Sequence, residues 1–495
     1  MSTTVEDWIQ AASTLSVRSQ ALIDGEFVDA SSGETFECVN PATEAVLAAV
    51  ASCDSADVDK AVSSARDVFV GGSWSLAAPA ERKRVLRRFA ELLLEHQDEL
   101  ALLVTLEMGK PIRDSVGIEL PLAASVMEWQ AEAIDKAYGE VAPTGPGDVA
   151  LITREPLGVV GAIVPWNFPV NLAVSRIAPA LAAGNSVILK PAEQSPLAAL
   201  RIGELGLEAG LPAGVLNVVP GIGERAGKAL ALHEGVDCIA FTGSTAVGKL
   251  LLTFAGQSNM KQVWLECGGK SANVVFADSP DLEQVATFVA MGAFWNQGEV
   301  CSSHSRLLAE QSIANELVAL VAKRAGELRL GDPLDPATEI GPLVDGEQVS
   351  KVLGYVESGR EVANLVTGGG RVEIGGSRLY VEPTVFDEVP KNAAVAQDEI
   401  FGPVLSVLPF EDEEEAISIA NGTAYGLGAS LWTKDLSRAL RVSRRLRAGT
   451  VSVNTVDAYS VLTPFGGVGD SGSSRDHSLH AVEHYSSLKT TWIKY

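Results

Sequence analysis

A carboxylate, a thiol and a carboxamide stand out, each in a setting that suits a reacting group. Glu266 closes the apolar run Trp264-Leu265 and precedes Cys267-Gly268-Gly269-Lys270, where two glycines leave space for a water beside the carboxylate. Cys301 follows within Asn296-Gln297-Gly298-Glu299-Val300-Cys301-Ser302-Ser303. A free thiol with a pKa near 8.5 is only about 3% thiolate at pH 7, so complete ionisation supplies only about 2 kcal/mol. Most nucleophilic catalysis must then come from placement and electrostatics. Asn167 lies between Trp166 and Phe168 and is bounded by Pro165 and Pro169, which suits a rigidly held donor. Aimed at a developing oxyanion, such an amide contributes about 3 kcal/mol. Each feature also has a plainer reading: a small core cysteine, or a turn fixed by two prolines.

A second set of residues suits a nucleotide. Lys190 and Glu193 follow the strand pattern Val187 to Leu189, so an ammonium that donates and a carboxylate that accepts face a ribose diol at a strand's carboxyl end. The alternative is a surface ion pair. Gly221-Ile222-Gly223-Glu224-Arg225-Ala226 satisfies G-x-G-x-x-A after a strand, and Gly243-Ser244-Thr245-Ala246-Val247-Gly248-Lys249 approaches a P-loop. Leu250 occupies the position whose hydroxyl should hold Mg²⁺, which excludes an ATPase. What survives is a glycine-lined helix start whose amides can approach a pyrophosphate, or an ordinary strand-to-helix turn.

The elements that must position these groups read as two α/β units. Short strands with turns at Asp24-Gly25 and Ser32-Gly33 run from Ile23 to Ala51, followed by helical patterns over Ala56 to Phe69 and Pro79 to Glu107. Gly139, Pro143, Gly145, Pro146 and Gly147 mark a boundary. Strand and helix then alternate from residue 157 to 265, which predicts crossover units on a parallel sheet with ligand at the strands' carboxyl ends. A second alternation runs from Asn273 to Asn454. The acidic run Glu411 to Glu415 reads as a solvated helix start.

Length and charge bound the partners. The 495 residues amount to about three domains' worth of chain. With 38 Lys and Arg against 63 Asp and Glu, the net charge of −25 repels phosphate backbones and anionic headgroups, so neither nucleic acid nor a membrane is expected. No apolar run of membrane-spanning length appears, and the first basic residue is Arg18, unlike a secretory signal. Five widely spaced cysteines suit a reducing compartment. A soluble cytoplasmic protein is expected.

Seven motifs carry a resemblance. Pro-Trp-Asn-Phe-Pro at 165 to 169, Lys-Pro-Ala-Glu at 190 to 193, Phe-Thr-Gly-Ser at 241 to 244, Glu-Cys-Gly-Gly-Lys at 266 to 270, Asn-Gln-Gly-Glu-Val-Cys at 296 to 301, Glu-Ile-Phe-Gly-Pro at 399 to 403 and Pro-Phe-Gly-Gly at 464 to 467 occur in order. In them the chain resembles the NAD(P)-dependent aldehyde dehydrogenase superfamily, from about Ala21 to Lys494. The resemblance implies that Cys301 attacks an aldehyde, that Asn167 and the Cys301 amide hold the oxyanion, and that Glu266 activates water to release the thioester as free acid. It implies NAD as cofactor, with Lys190 and Glu193 on the adenosine ribose and Gly243 and Ser244 by the pyrophosphate. Trp166, Glu399 and Phe401 then lie around the nicotinamide end, and no metal is required. Glu193 would repel a 2′-phosphate, which favours NAD over NADP.

The implied fold is α/β: a Rossmann-type cofactor domain over 20–136 and 157–265, an α/β catalytic domain over 266–457, and a small β oligomerisation segment over 137–156 and 475–495. A homodimer or homotetramer follows from it. Segments such as Ala131 to Lys136 and Ser478-Leu479-His480-Ala481 look like the branch that oxidises γ-glutamyl-γ-aminobutyraldehyde and related ω-amino aldehydes. Asn171, Ser175, Ser303-His304, Ser460 and Gly469 depart from that branch and make the expected tunnel more polar and wider. A hydroxy-aldehyde, semialdehyde or aromatic substrate is the alternative. Glu119 reads as an exposed helix carboxylate or a cation anchor, and Cys267 as core packing. His477, His480 and His484 have helix-face spacing but need no ligand role. Two rival readings are a cysteine hydrolase using Cys301 with His304, and an enzyme fold kept as a binding protein.

Overall fold

The computed structural model describes residues 4–495. Two seven-stranded sheets organise it. In the first, the order is Gln262–Glu266, Cys238–Thr242, Val159–Ile163, Ser186–Lys190, Leu216–Val218, then Ala21–Ile23 and Glu26–Val28. The first five are parallel, and the early hairpin closes the edge antiparallel through Leu22 against Val218. Ser186–Lys190 and Cys238–Thr242 are buried at every position, as strands covered on both faces must be.

Chain order makes the ligand crevice. Val159–Ile163 starts at the centre, the next two strands build outward on one side, and the last two return to the other. Where the direction reverses, the loops after Val159–Ile163 and Cys238–Thr242 diverge and leave an opening at the carboxyl ends. Those loops hold Trp166-Asn167 and Gly243-Ser244.

Helices supply the layers. Pro79–Glu95, Leu120–Ala133, Pro169–Ala183 and Pro196–Ala209 bury Phe89, Leu93, Met127, Ile177 and Leu181 in one core with Val187 and Leu189 of the sheet. Pro169–Ala183 starts with proline at its first position and ends on Gly184 at φ +99°, a conformation that a side chain would strain. The helical pattern over Pro79 to Glu107 is two helices, Pro79–Glu95 and Gln97–Met108, broken at His96.

The second sheet runs Asn364–Thr367, Thr384–Asp387, Val404–Phe410, Arg306–Glu310, Ala272–Val275, Gly428–Trp432, Thr450–Val453, antiparallel only at its first pair. Its two faces are covered by separate apolar clusters. Asp412 caps the helix Glu413–Ala420, and Glu413 and Glu414 of the acidic run pair with Arg441 and Arg445. A third sheet joins Glu140–Ala142, Asp148–Pro156 and Ser486–Lys494, with Asp148 opposite Lys494 and Pro156 opposite Ser486. Among the described residues no helix is long and apolar enough to cross a membrane.

Candidate active site

Cys301 is the common wall of two cavities. One of about 500 Å³ is lined by Phe168, Trp295, Tyr459 and Phe465. The other, of about 180 Å³, is lined by Trp166, Asn167, Gly243, Ser244, Glu399 and Phe401. The loop that delivers the sulfur is strained. Asn296, Gln297 and Gly298 take successive φ values of +51°, +58° and +72°, and each non-glycine residue there costs about 1–2 kcal/mol. Fixed partners hold it: Asn296 Nδ2 donates to Glu299 O at 3.2 Å, Gln297 Oε1 accepts from Gly341 N, and Glu299 Oε1 accepts from Val344 N. A side chain at residue 298 would lie 2.3 Å from the Gly402 carbonyl, so glycine is obligatory there.

Asn167 is pinned from two sides. Its Nδ2 donates to Glu299 O at 2.9 Å, and its carbonyl accepts from Asn296 Nδ2 and from Lys110 Nζ at 2.9 Å. Lys110 is fully buried, ion-paired with Glu119, and stands 3.6 Å from the centre of the Phe168 ring. Glu119 ends a π-helical turn over Ser115–Glu119, and its Oε1 accepts from Val170 N and Asn171 N at the start of the helix Pro169–Ala183. The expectation of an exposed helix carboxylate at Glu119 is therefore wrong. The π turn rotates it inward, and Lys110 makes its burial tolerable.

Glu266 ends its strand buried, and neither carboxylate oxygen has a hydrogen-bond partner in the protein. Burial pushes its pKa well up and Asp476 adds to that, while Arg176 and Arg475 oppose. The space that Gly268 and Gly269 leave is not beside Glu266, as the sequence suggested. A side chain at Gly268 would meet the Glu399 carboxylate, and one at Gly269 the Cys301 carbonyl. Room beside Glu266 comes from Gly466, where a Cβ would lie 2.6 Å from Glu266 Oε1. Burial also pushes the Cys301 thiol far up, and Glu399, Glu266 and Asp457 act the same way, so the resting sulfur is protonated.

The residues that could hold a dinucleotide lie in the smaller cavity and at the carboxyl end of the strand Ser186–Lys190. Lys190 Nζ and Glu193 Oε1 are 3.2 Å apart at the carboxyl end of their strand, and Glu193 also accepts from Gly223 N, which ties the first glycine cluster to this end. Gly243 and Ser244 line the cleft at the head of Thr245–Gln257, where Ser244 accepts from Val247 N. At the far end Trp166 packs edge-on to Phe401 with centroids 5.4 Å apart, and Glu399 accepts from Gly269 N at 3.0 Å. An ion pair, a helix amino terminus and an aromatic pair succeed one another as a ribose, a pyrophosphate and a flat ring require.

The sequence matches the aldehyde dehydrogenase family over residues 27–491. This chain belongs to that family. It is 52% identical over 486 residues to the NADP/NAD-dependent aldehyde dehydrogenase PuuC of Escherichia coli strain K12, covering 98% of each chain. The indole-3-acetaldehyde dehydrogenase AldA of P. syringae, solved in complex with NAD+ and IAA, shares 53% identity over all of both chains at a TM-score of 0.99. The γ-glutamyl-γ-aminobutyraldehyde dehydrogenase of Burkholderia cenocepacia, also 53% identical, superposes at 0.98 over 99% of this chain and 100% of its own. The protein is an aldehyde dehydrogenase of the NAD(P)-using kind.

The rival residues of this aldehyde dehydrogenase point elsewhere. His304 Nε2 is 2.8 Å from the Ser430 hydroxyl and lines neither cavity, so it forms no dyad with Cys301. Cys267 packs in the core, with its Sγ 2.9 Å from where a Cβ on Gly248 would be, and also lines the smaller cavity together with Cys301. The three tail histidines diverge: His477 lines the larger cavity, His480 pairs with Glu483, and His484 stacks on Trp264. Among the described residues no group of three or more His, Cys, Asp or Glu side chains is placed to hold a metal. Lys110, Asp457 and Tyr459 went unread, and Gly466 was read only as part of the Pro-Phe-Gly-Gly motif. Only a lysine next to the fully apolar-faced helix Gln97–Met108 hinted at the first.

Removing Glu119 should strand the buried ammonium. Glu119→Ala is expected to lower unfolding free energy by about 3–5 kcal/mol in urea titrations, and adding Lys110→Met should restore most of the loss.

Proposed function

We propose that the enzyme oxidises an aldehyde to its carboxylic acid through a covalent bond to Cys301. The carrying observation is the position of that sulfur, shared by a roomy apolar cavity and a dinucleotide cleft. The aldehyde enters through the larger cavity, and Cys301 Sγ adds to its carbonyl as the thiol proton passes to a water in that cavity. Asn167 Nδ2 and the Cys301 amide stabilise the resulting oxyanion. NAD, when bound against Lys190, Glu193, Gly243, Ser244, Trp166, Glu399 and Phe401, supplies the hydride acceptor. Loss of hydride from the thiohemiacetal carbon leaves a thioester; Glu266 then takes a proton from water, which attacks that thioester and frees the acid, and the proton returns to the departing Cys301 sulfur. Glu266 acts in its carboxylate form, and the upward push of burial on its pKa makes that carboxylate the stronger base.

In this reading residues 20–136 and 157–265 bind the cofactor, 266–457 carry the nucleophile, and 137–156 with 475–495 join subunits. The third sheet exposes Leu488 and Trp492 on one face and Val141 on the other, with Tyr138 and Tyr495 exposed at its ends, apolar surface that suits a second copy. All five thiols are unpaired, which suits the reducing cytoplasm. The cavity of about 500 Å³ suits a polar or ω-amino aliphatic aldehyde such as γ-glutamyl-γ-aminobutyraldehyde, the compound in the Burkholderia relative's name. An aromatic aldehyde is the second reading, favoured by the name of the P. syringae relative and by Phe168, Trp295 and Phe465 in the wall.

Three measurements test these assignments. Glu266→Gln should retain a stoichiometric burst of NADH with aldehyde and lose roughly 10²- to 10⁴-fold in steady turnover; a variant with no burst would give Glu266 another role. With NAD the wild-type kcat/KM should exceed that with NADP at least about tenfold, because a 2′-phosphate of roughly −1.5 to −2 charge meets Glu193, and Glu193→Ala should narrow the gap. Equal values in the wild type would remove that basis. Sedimentation at micromolar concentration should show a dimer or tetramer of the 51.9 kDa chain, weakened by Trp492→Asp; a wild-type monomer would count against the interface.

A further inference from the structure

One buried lysine has no task in this mechanism. Lys270 and Ser271 end the passage from the first sheet and directly precede the strand Ala272–Val275, whose register sets Ala272 opposite Arg306 on one side and Ala429 on the other. At the amino ends of these three strands lies a cavity of about 10 Å³, with Lys270, Ser271, Arg306, Gly428 and Arg447 in its wall. That is space for a single water or a single halide ion, and too little for sulfate or phosphate. Lys270 is 2% exposed, and its Nζ has no hydrogen-bond partner. The Ser271 hydroxyl is also buried without a partner, and a Cβ at Gly428 would lie 3.2 Å from it.

The charge around this cavity is positive and unbalanced. Among the described residues that line it there is no aspartate or glutamate. Arg306 is buried as well, and its Nε, Nη1 and Nη2 donate to the carbonyls of Lys270, Ile419 and Ala420 in turn, none of them a charged partner. At the rim Arg447 donates to the carbonyls of Thr423 and Tyr425. Glu399 and Asp398 act on Lys270 from a distance: Glu399 accepts from Gly269 N and lines the cofactor cleft, and Asp398 accepts from the Tyr355 hydroxyl. Burial and the Arg306 guanidinium bring Lys270 down to about 7, so a neighbouring anion decides whether it keeps its proton at working pH. A water offers this ammonium an acceptor without charge. An anion offers both, which a buried cation without a counterion requires.

We propose that Lys270, Ser271 and Arg306 bind one monatomic anion, chloride above all, at the amino ends of these strands. The ammonium and the guanidinium supply charge, the hydroxyl donates a hydrogen bond, and Gly428 leaves the room. The site stands apart from the aldehyde and cofactor cavities, neither of which is lined by these three residues. Its task is structural. The ion fastens the passage that carries Gly268 and Gly269 to the starts of three strands, and it stabilises the folded chain because only the folded chain assembles the site.

The test uses the full-length protein. Crystals soaked in sodium bromide should show an anomalous peak in this cavity, in contact with Lys270 Nζ. Thermal unfolding should come at a higher temperature in sodium chloride than in sodium gluconate of equal ionic strength, and the gap should widen with halide concentration, as binding to the folded state alone requires. In Lys270→Met, which keeps the bulk of the side chain and removes its charge, the peak should vanish and the two salts should give the same Tm. Ser271→Ala should keep the peak and move the halide response to roughly tenfold higher concentration, the loss of one hydrogen bond to a charged group. Equal wild-type melting in the two salts overturns the proposal: without a peak a water fills the cavity, and with one the bromide is an adventitious ion only. A peak that survives in Lys270→Met also overturns it. The wild-type measurements decide the matter even if a variant does not fold.

Discussion

An ammonium sealed from water ties the reacting end of this protein together. Lys110 touches the Glu119 carboxylate, the Asn167 carbonyl and the face of Phe168, and Glu119 is the carboxylate paired with it at that depth. Each partner belongs to a different stretch: a π-helical turn, the loop leaving the central strand of the first sheet, and the start of a long helix. Asn296 and Glu299 extend the chain of contacts from Asn167 to the strained loop before Cys301. The distance between amide and sulfur is thus set by a polar scaffold that cannot rearrange without exposing a buried charge.

The two sheets meet in a complementary way. Trp166-Asn167, Gly243-Ser244 and Glu266 lie at the carboxyl ends of strands in the first sheet. Cys301 and Glu399 precede Arg306–Glu310 and Val404–Phe410, at the amino ends of strands in the second. Because both sheets are mostly parallel, each presents a whole edge of loops, and the crevice between those edges collects residues from across the chain. Gly268 and Gly269 lie on the short passage from one sheet to the other and let Glu399 and the Cys301 backbone close in.

Electrostatics divides the site into two moods. Around Cys301 burial and three carboxylates keep the thiol neutral, so its proton must leave as the carbon–sulfur bond forms and find a base nearby. Around His477 burial and Arg176 suppress positive charge instead.

The alternation of strands and helices and the places of Asn167, Lys190 and Glu193 at the carboxyl ends of strands of the first sheet were legible in the sequence, because local periodicity and turn chemistry dictate them. The residues that surround the sulfur were less so. Two glycines beside Glu266 read as room for water, yet they admit Glu399, a partner distant along the chain. Glu119 read as exposed because carboxylates are seldom buried unless paired, and its partner Lys110 meets it only in the folded chain, beside a π turn. His304 looked near Cys301 in sequence and turns to Ser430, while Tyr459 and His477 looked unrelated and touch. The sequence by itself determined which chemical groups exist and which elements carry them. Only the tertiary structure decided which groups share a cavity, since burial and pairing of charge depend on neighbours that periodicity along one segment does not specify.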